Sequence, residues 1–111
     1  MRVISRARLR QFWESRKDDS ALAMRSLLAW EKIARGAAWS NWGQLTQTFG
    51  SADRVGNCVV FDVGNNRFRL IARVNFDKGR LYILRVMDHG EYDKARWVES
   101  CRCHQPPPRG A

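Results

Sequence analysis

The change from a helical to a two-residue hydrophobic period near residue 57 constrains the fold of this chain most strongly. In RFRLIARVNF, residues 67–76, the apolar positions are Phe68, Leu70, Ala72, Val74 and Phe76. The alternate positions are Arg67, Arg69, Ile71, Arg73 and Asn75. A period of two is typical of a strand with one buried face, and the flanking GNN (64–66) and DKG (77–79) are turn sequences. With CVVFDVG before and RLYILRVMD after, the pattern predicts an antiparallel β-meander of three strands.

Alternation also predicts which residues of the last strand, residues 80–88, share a face. Leu81, Ile83, Arg85 and Met87 are predicted to share one face, and Tyr82, Leu84, Val86 and Asp88 the other. In this interpretation Arg85 lies on the opposite face from Leu84, since neighbouring side chains of a strand point to opposite sides.

Helical periodicity dominates the first half of the chain. MRVIS is predicted to be a short strand, and Leu9, Phe12 and Trp13 follow at the spacing of a first helix. A second helix over 21–34 has the apolar stripe Ala23, Leu27, Trp30 and Ala34, which Met24 and Leu28 widen. A short third helix is predicted around Trp42 to Phe49. The fold class is therefore α+β: a short N-terminal strand and two to three helices packed on one face of an antiparallel β-meander. The other face of the sheet is expected to be exposed and to carry Arg67, Arg69 and Arg73.

The length of 111 residues suits one domain. We assign residues 1–97 to it and interpret residues 98–111, with three consecutive prolines, as a flexible tail. No stretch is apolar enough to span a bilayer and the N-terminus lacks a signal peptide, so we expect a cytoplasmic protein without a membrane partner. Three cysteines in a reducing compartment predict no disulfide, and CRCH at 101–104 has no second Cys/His pair that would complete a metal site.

The charge of the chain indicates a polyanionic partner. Twenty Lys and Arg against eleven Asp and Glu give +9, and sixteen of the cations are arginine. The planar fork of arginine matches phosphate and stacks on bases, so nucleic acid is the first candidate. The alternatives are a solvated cationic surface or an acidic protein partner.

The segment DHGEYDK, residues 88–94, directly follows the last predicted strand. Cleavage of RNA without a metal needs a base for the 2′-hydroxyl, an acid for the leaving oxygen and cations for the phosphate. Histidine suits acid–base work near neutral pH, so His89 and Tyr92 are candidates, and Arg69, Arg73 and Lys94 can supply positive charge. The structural alternative is that this segment is an exposed turn that closes the strand.

The chain resembles the HigB family of bacterial type II toxins, which belong to the RelE-like mRNA interferases. The resemblance runs from MRVISRARLRQFWE through LLAW to NNRFRLI and HGEYDK, and covers residues 1 to about 96. It implies a RelE-like α+β fold and a toxin that enters the ribosomal A site, cuts mRNA and so inhibits translation. It further implies a metal-independent endoribonuclease that needs no cofactor and is silenced by a helix-turn-helix antitoxin. Operator DNA would be bound only indirectly, through that antitoxin.

The resemblance also implies functional residues. His89, Tyr92, Arg69 and Lys94 match the family's catalytic positions, and Arg67, Arg73 and Arg85 are the candidate RNA-binding residues, with no metal ligands. The chain departs from the family pattern where Asp88 replaces a common threonine and Leu84 replaces an arginine. These departures keep open a non-catalytic RNA- or ribosome-binding inhibitor of translation.

Overall fold

The computed structural model describes residues 1–105 and contains a five-stranded mixed sheet with helices, an α+β fold as predicted. The strands are β1 (Arg2–Ile4), β2 (Asp53–Val55), β3 (Cys58–Val63), β4 (Phe68–Asn75) and β5 (Arg80–Asp88). The helices are α1 (Ala7–Ser15), α2 (Ser20–Gly36), α3 (Trp42–Thr48), α4 (His89–Asp93) and α5 (Arg96–Ser100). The sheet order is β1-β5-β4-β3-β2, with β1 parallel to β5 and the other neighbours antiparallel. Within the described residues no helix is long and apolar enough to cross a membrane.

The helix α2 lies on the sheet through the predicted stripe, since Ala23, Leu27, Trp30 and Ala34 are all buried. The prediction that Met24 and Leu28 widen this stripe is wrong, because both side chains are exposed. Each directly follows a buried residue of the stripe, and this apolar pair at i, i+4 suggests a burial that the fold does not provide.

The alternation in β4 is confirmed. Phe68, Leu70 and Ala72 belong to the main core beneath the helices. Ile71 belongs to a second cluster on the opposite side of the sheet. Gly64 and the two asparagines after it have positive φ values, which fits the tight turn predicted between β3 and β4.

A β-bulge changes the faces of β5. Ile71 pairs with Arg85 and Ala72 with Ile83, so Leu84 is an extra residue in this ladder. Directly paired residues of adjacent strands share a face, and Arg85 therefore lies on the face of Ile71, together with Met87. The prediction that Arg85 and Met87 share a face with Ile83 is wrong, because one inserted residue reverses the alternation beyond it.

The second face of the sheet is not open. A second buried cluster covers part of it and comprises Cys58, Val60, Ile71, Met87, Trp97 and Cys103. A disulfide joins Cys58 to Cys103, so the prediction of no disulfide is wrong. A flexible tail from residue 98 is also wrong for residues 98–105, which continue from α5 onto the sheet. The three prolines lie outside the described residues.

Candidate active site

The strand β5 ends at the residue that caps α4. Asp88 Oδ1 accepts a hydrogen bond from the backbone N–H of Glu91 at 2.8 Å, and Oδ2 pairs with Arg16 Nη1 at 2.9 Å. These two contacts, that of Glu91 first, lower the pKa of Asp88. The carboxylate that departs from the family pattern is thus an N-cap whose charge is paired, which weakens its repulsion of a phosphate.

The helix α4 brings His89 to a carboxylate. His89 Nδ1 lies 2.9 Å from Asp93 Oδ2, one helical turn away. An Nδ1–H that donates to this carboxylate leaves the Nε2 lone pair free to accept a proton. Both side chains are mostly exposed, at 55% and 61%, so a ligand can reach the imidazole directly.

Tyr92 is held between an aromatic ring and a cation. Its ring stacks on Trp97 with centroids 5.2 Å apart and planes 13° apart. The guanidinium carbon of Arg69 lies 5.2 Å from the Tyr92 ring centroid. Burial raises the pKa of Tyr92 although the charge of Arg69 opposes the shift. The phenol is therefore protonated at neutral pH and can act as a proton donor.

Arg69 is fixed in place by several acceptors. Its Nε pairs with Asp62 Oδ1 at 2.9 Å, and its Nη1 donates to the carbonyl oxygens of Asn66 and Phe68 at 2.8 Å and 3.2 Å. Only 11% of the side chain is exposed. Its charge is positioned rigidly beside the Tyr92 ring, and part of that charge is offset by Asp62.

Glu91 connects the other two cations near α4. Its Oε1 lies 3.4 Å from Arg85 Nη2 and its Oε2 lies 3.6 Å from Lys94 Nζ. Both contacts are long and Lys94 is exposed, so either cation can exchange Glu91 for another anion at small cost.

Arg67 and Arg73 do not complete an open row of arginines with Arg69. Arg67 is exposed in the turn before β4. Arg73 Nη2 donates to Asn57 Oδ1 at 3.2 Å and to the carbonyl oxygen of Cys101 at 3.4 Å. The sequence therefore predicted the correct strand face for Arg69 and Arg73 but not its cover. The functional roles assigned to all seven site residues remain predictions.

Sequence reasoning missed three residues that organise this site. Asp93 contacts His89, Trp97 stacks on Tyr92, and the distant Asp62 pairs with Arg69. The i, i+4 spacing of His89 and Asp93 is a usable signal once residues 89–93 are taken as helical.

Metal ligands do not cluster in the part of the chain that the structure describes. No group of three or more His, Cys, Asp or Glu side chains there is arranged to hold an ion. In the CRCH sequence, Cys103 is bonded to Cys58 and His104 is exposed.

Comparison with known proteins identifies the family of the chain. The family model for the HigB toxin, described as the RelE-like toxic component of a toxin–antitoxin system, matches residues 23–95. The chain is 30% identical over 97 residues to the mRNA interferase HigB of Escherichia coli O6:H1 strain CFT073, which covers 85% of this chain and 90% of that protein. It is 50% identical over 34 residues to the mRNA interferase toxin HigB of Escherichia coli K12. That stretch covers 31% of this chain and 33% of the K12 protein. The chain belongs to the HigB family of RelE-like toxins of toxin–antitoxin systems.

Proposed function

We propose that this toxin is a ribosome-dependent mRNA endoribonuclease that inhibits translation. The observation that carries the proposal is the pairing of His89 with Asp93 on the same short helix as Tyr92, whose ring contacts Arg69. The mRNA interferase names of the relatives support the substrate class.

His89 acts as the general base in this proposal. Asp93 accepts the Nδ1 proton, so Nε2 takes the proton of the 2′-hydroxyl as that oxygen attacks the adjacent phosphorus. The carboxylate also stabilises the imidazolium that forms. RNA rather than DNA is the substrate because the 2′-hydroxyl is the nucleophile.

Tyr92 protonates the leaving 5′-oxygen. Positions 89 and 92 are neighbours on the surface of one helix, so both side chains can reach the same phosphodiester. Protonation breaks the bond between phosphorus and the 5′-oxygen, which leaves a 2′,3′-cyclic phosphate and a 5′-hydroxyl. The guanidinium of Arg69 beside the ring stabilises the tyrosinate left behind.

The charge of the phosphate is balanced by side chains, and we propose that cleavage is metal-independent. Arg69 supplies a fixed charge, and Lys94 and Arg85 are released from Glu91 toward the pentacovalent phosphorane. Arg67 and Arg73 contact flanking phosphates of the message.

The partners follow from this chemistry. We propose that the toxin acts in the cytoplasm on mRNA in the ribosomal A site. A cognate helix-turn-helix antitoxin silences it and links it indirectly to operator DNA. A net charge of +9 favours an acidic antitoxin segment, since a free protein this basic binds RNA indiscriminately.

The ion pair of Arg69 with Asp62 favours a second candidate function. If Asp62 retains this guanidinium when RNA binds, the chain blocks translation as an RNA- or ribosome-binding protein without cutting. This candidate predicts growth arrest with intact message.

Primer extension on a defined mRNA distinguishes the two functions. Cells that express the chain without antitoxin are expected to contain discrete cuts within translated regions. The double variant His89→Ala, Tyr92→Ala is expected to lose the cuts, whereas the matched variant His104→Ala, at the other histidine, retains them. Growth arrest with uncut message, or cuts that persist in the double variant, would overturn the proposal.

A further inference from the structure

The part of the chain beyond the family match builds one wall of the site. The family model ends at residue 95, and α5 with residues 101–105 follows on the second face of the sheet. We name residues 96–105 the C-terminal extension. It buries Trp97 and Cys103, and Trp97 is the residue on which Tyr92 stacks.

The extension is attached to the sheet at one covalent point. Cys103 is bonded to Cys58 at the start of β3, and its carbonyl oxygen accepts a hydrogen bond from the N–H of Asn57 at 2.6 Å. A Cβ at Gly56 would collide with the same carbonyl group, so the fit of the extension against this turn depends on glycine.

The closed extension contacts Arg73, whose side chain is half-buried. Two acceptors, the carbonyl oxygen of Cys101 and the Asn57 side chain, engage Nη2. Nε is buried and has no hydrogen-bond partner within residues 1–105. A buried donor without a partner destabilises the arrangement that buries it. The position of the extension therefore leaves the Nε donor of Arg73 unsatisfied, which favours movement of the extension away from the sheet. The disulfide opposes that movement.

We infer that the Cys58–Cys103 disulfide is a redox-reversible lock that holds the C-terminal extension over Arg73 and, when reduced, releases this arginine to bind an RNA phosphate. The inference rests on the proposed function for the identity of the ligand. It agrees with the rule that disulfides of reducing compartments are usually transient and redox-sensing.

The reductant is a dithiol. One of its thiolates attacks a sulfur of the disulfide and forms a mixed disulfide, which its second thiol resolves. The Cys58–Cys103 bond breaks and both sulfurs gain a proton. The dithiol gives up two electrons and two protons and becomes a disulfide.

Access to the lock requires a local opening. Both bonded sulfurs are buried, but the neighbours of Cys103, Arg102 and His104, are exposed. The lock requires that motion of these few residues exposes the sulfur of Cys103 to a thiolate. Burial raises the pKa of the free Cys101 thiol, which makes it a poor competitor as a nucleophile at neutral pH.

The test is the affinity of the full chain for a single-stranded 2′-O-methyl RNA, which cannot be cleaved through its 2′-oxygen. Protein reduced with dithiothreitol is expected to bind about tenfold more tightly than oxidised protein, the gain of one charge-assisted phosphate contact. Cys103→Ser is expected to bind tightly with or without reductant. The matched variant Cys101→Ser keeps the redox response, and Arg73→Gln loses it.

Several outcomes would overturn the lock. These are equal affinities of oxidised and reduced protein, a mass spectrum without the disulfide after oxidation, and a redox response that survives in Cys103→Ser. If circular dichroism shows that Cys103→Ser is unfolded, hydrogen exchange of residues 96–105 in the wild-type chain decides. If reduction of the disulfide does not accelerate hydrogen exchange of the amides of residues 96–105, the lock is refuted.

The lock and the proposed function fail separately. Cleavage of mRNA with no redox effect on affinity would refute the lock alone. A redox effect on affinity without any cleavage would refute the nuclease and leave a regulated RNA-binding protein.

Discussion

The substitution Asp93→Asn tests the role of the carboxylate beside His89. The amide side chain would keep a carbonyl oxygen that can accept the Nδ1 proton, and because the side chain is exposed it is free to turn that oxygen toward the imidazole. It would lose the negative charge that stabilises the imidazolium formed when the 2′-hydroxyl is deprotonated. The variant is therefore expected to cut the same sites more slowly.

The exposure of the pair sets the size of this effect. A carboxylate that supports a buried catalytic histidine contributes about 10⁴-fold to the rate. Here His89 and Asp93 are 55% and 61% exposed, and water screens their interaction. Exposed ion pairs contribute up to about 1 kcal/mol. At the transition state this amounts to a loss of about fivefold in rate.

The assay is single-turnover cleavage of mRNA on ribosomes that hold a susceptible codon in the A site. Asp77→Asn removes an exposed carboxylate from the turn before β5 and serves as the matched control, with no expected change. An unchanged rate in Asp93→Asn would refute the role of the carboxylate. A loss of more than about 10³-fold would show that Asp93 orients and stabilises the imidazole as strongly as in a buried triad, and that the screening argument is wrong.

Three further predictions concern stability and are measured by urea denaturation. Arg6→Ala is expected to lower the free energy of unfolding measurably, because it leaves the buried carboxylate of Glu31 without its partner. Arg10→Ala breaks an exposed pair and should lower it by much less, so equal losses would contradict this reasoning. Asp88→Ala should cost about 1 kcal/mol at pH 7 through loss of the N-cap. Folding lowers the pKa of Asp88, so its stabilisation is complete above the unfolded value of about 3.9 and is lost as pH falls through the lower folded value; a difference that is undiminished at about pH 2 would refute the assignment. Trp97→Ala is expected to cost about 3–5 kcal/mol, and a cost below about 1 kcal/mol would show that the second cluster does not depend on this ring.

The fold was predictable wherever local periodicity reported burial. The alternation from Phe68 to Val74 identified β4 and assigned its two faces, and the stripe from Ala23 to Ala34 identified α2. In α2 one face meets the core and the other does not, and in β4 the positions that face the helices are uniformly apolar while arginines occupy most of the alternate ones, so sequence spacing carries the information.

The bulge in β5 was not predictable from alternation. An extra residue at Leu84 reverses the faces beyond it, and only the register with β4 reveals the change. Arg85 consequently lies on the face of Arg69, although strict alternation places it with Ile83. Leu84 stands where the family pattern has an arginine, but Arg85 at the next position lies on the same face of the sheet.

The cover over the second face was hidden for a different reason. Cys58 and Cys103 are 45 residues apart, and neither segment has a pattern that indicates the other. The short helices α4 and α5 have too few residues to display a helical period. The sequence therefore drew attention to His89 and Tyr92 as candidates but not to the side chains they contact, Asp93 and Trp97, which only the folded chain identifies.

Attack by the 2′-hydroxyl is the central claim, and a single modified nucleotide tests it most directly. An mRNA with one 2′-deoxynucleotide on the 5′ side of a mapped cut is incubated with the toxin and programmed ribosomes, beside the unmodified message. The account predicts that cleavage at this position disappears, while other cut sites in the same message are unaffected. Cleavage of the deoxy position at the unmodified rate would contradict it.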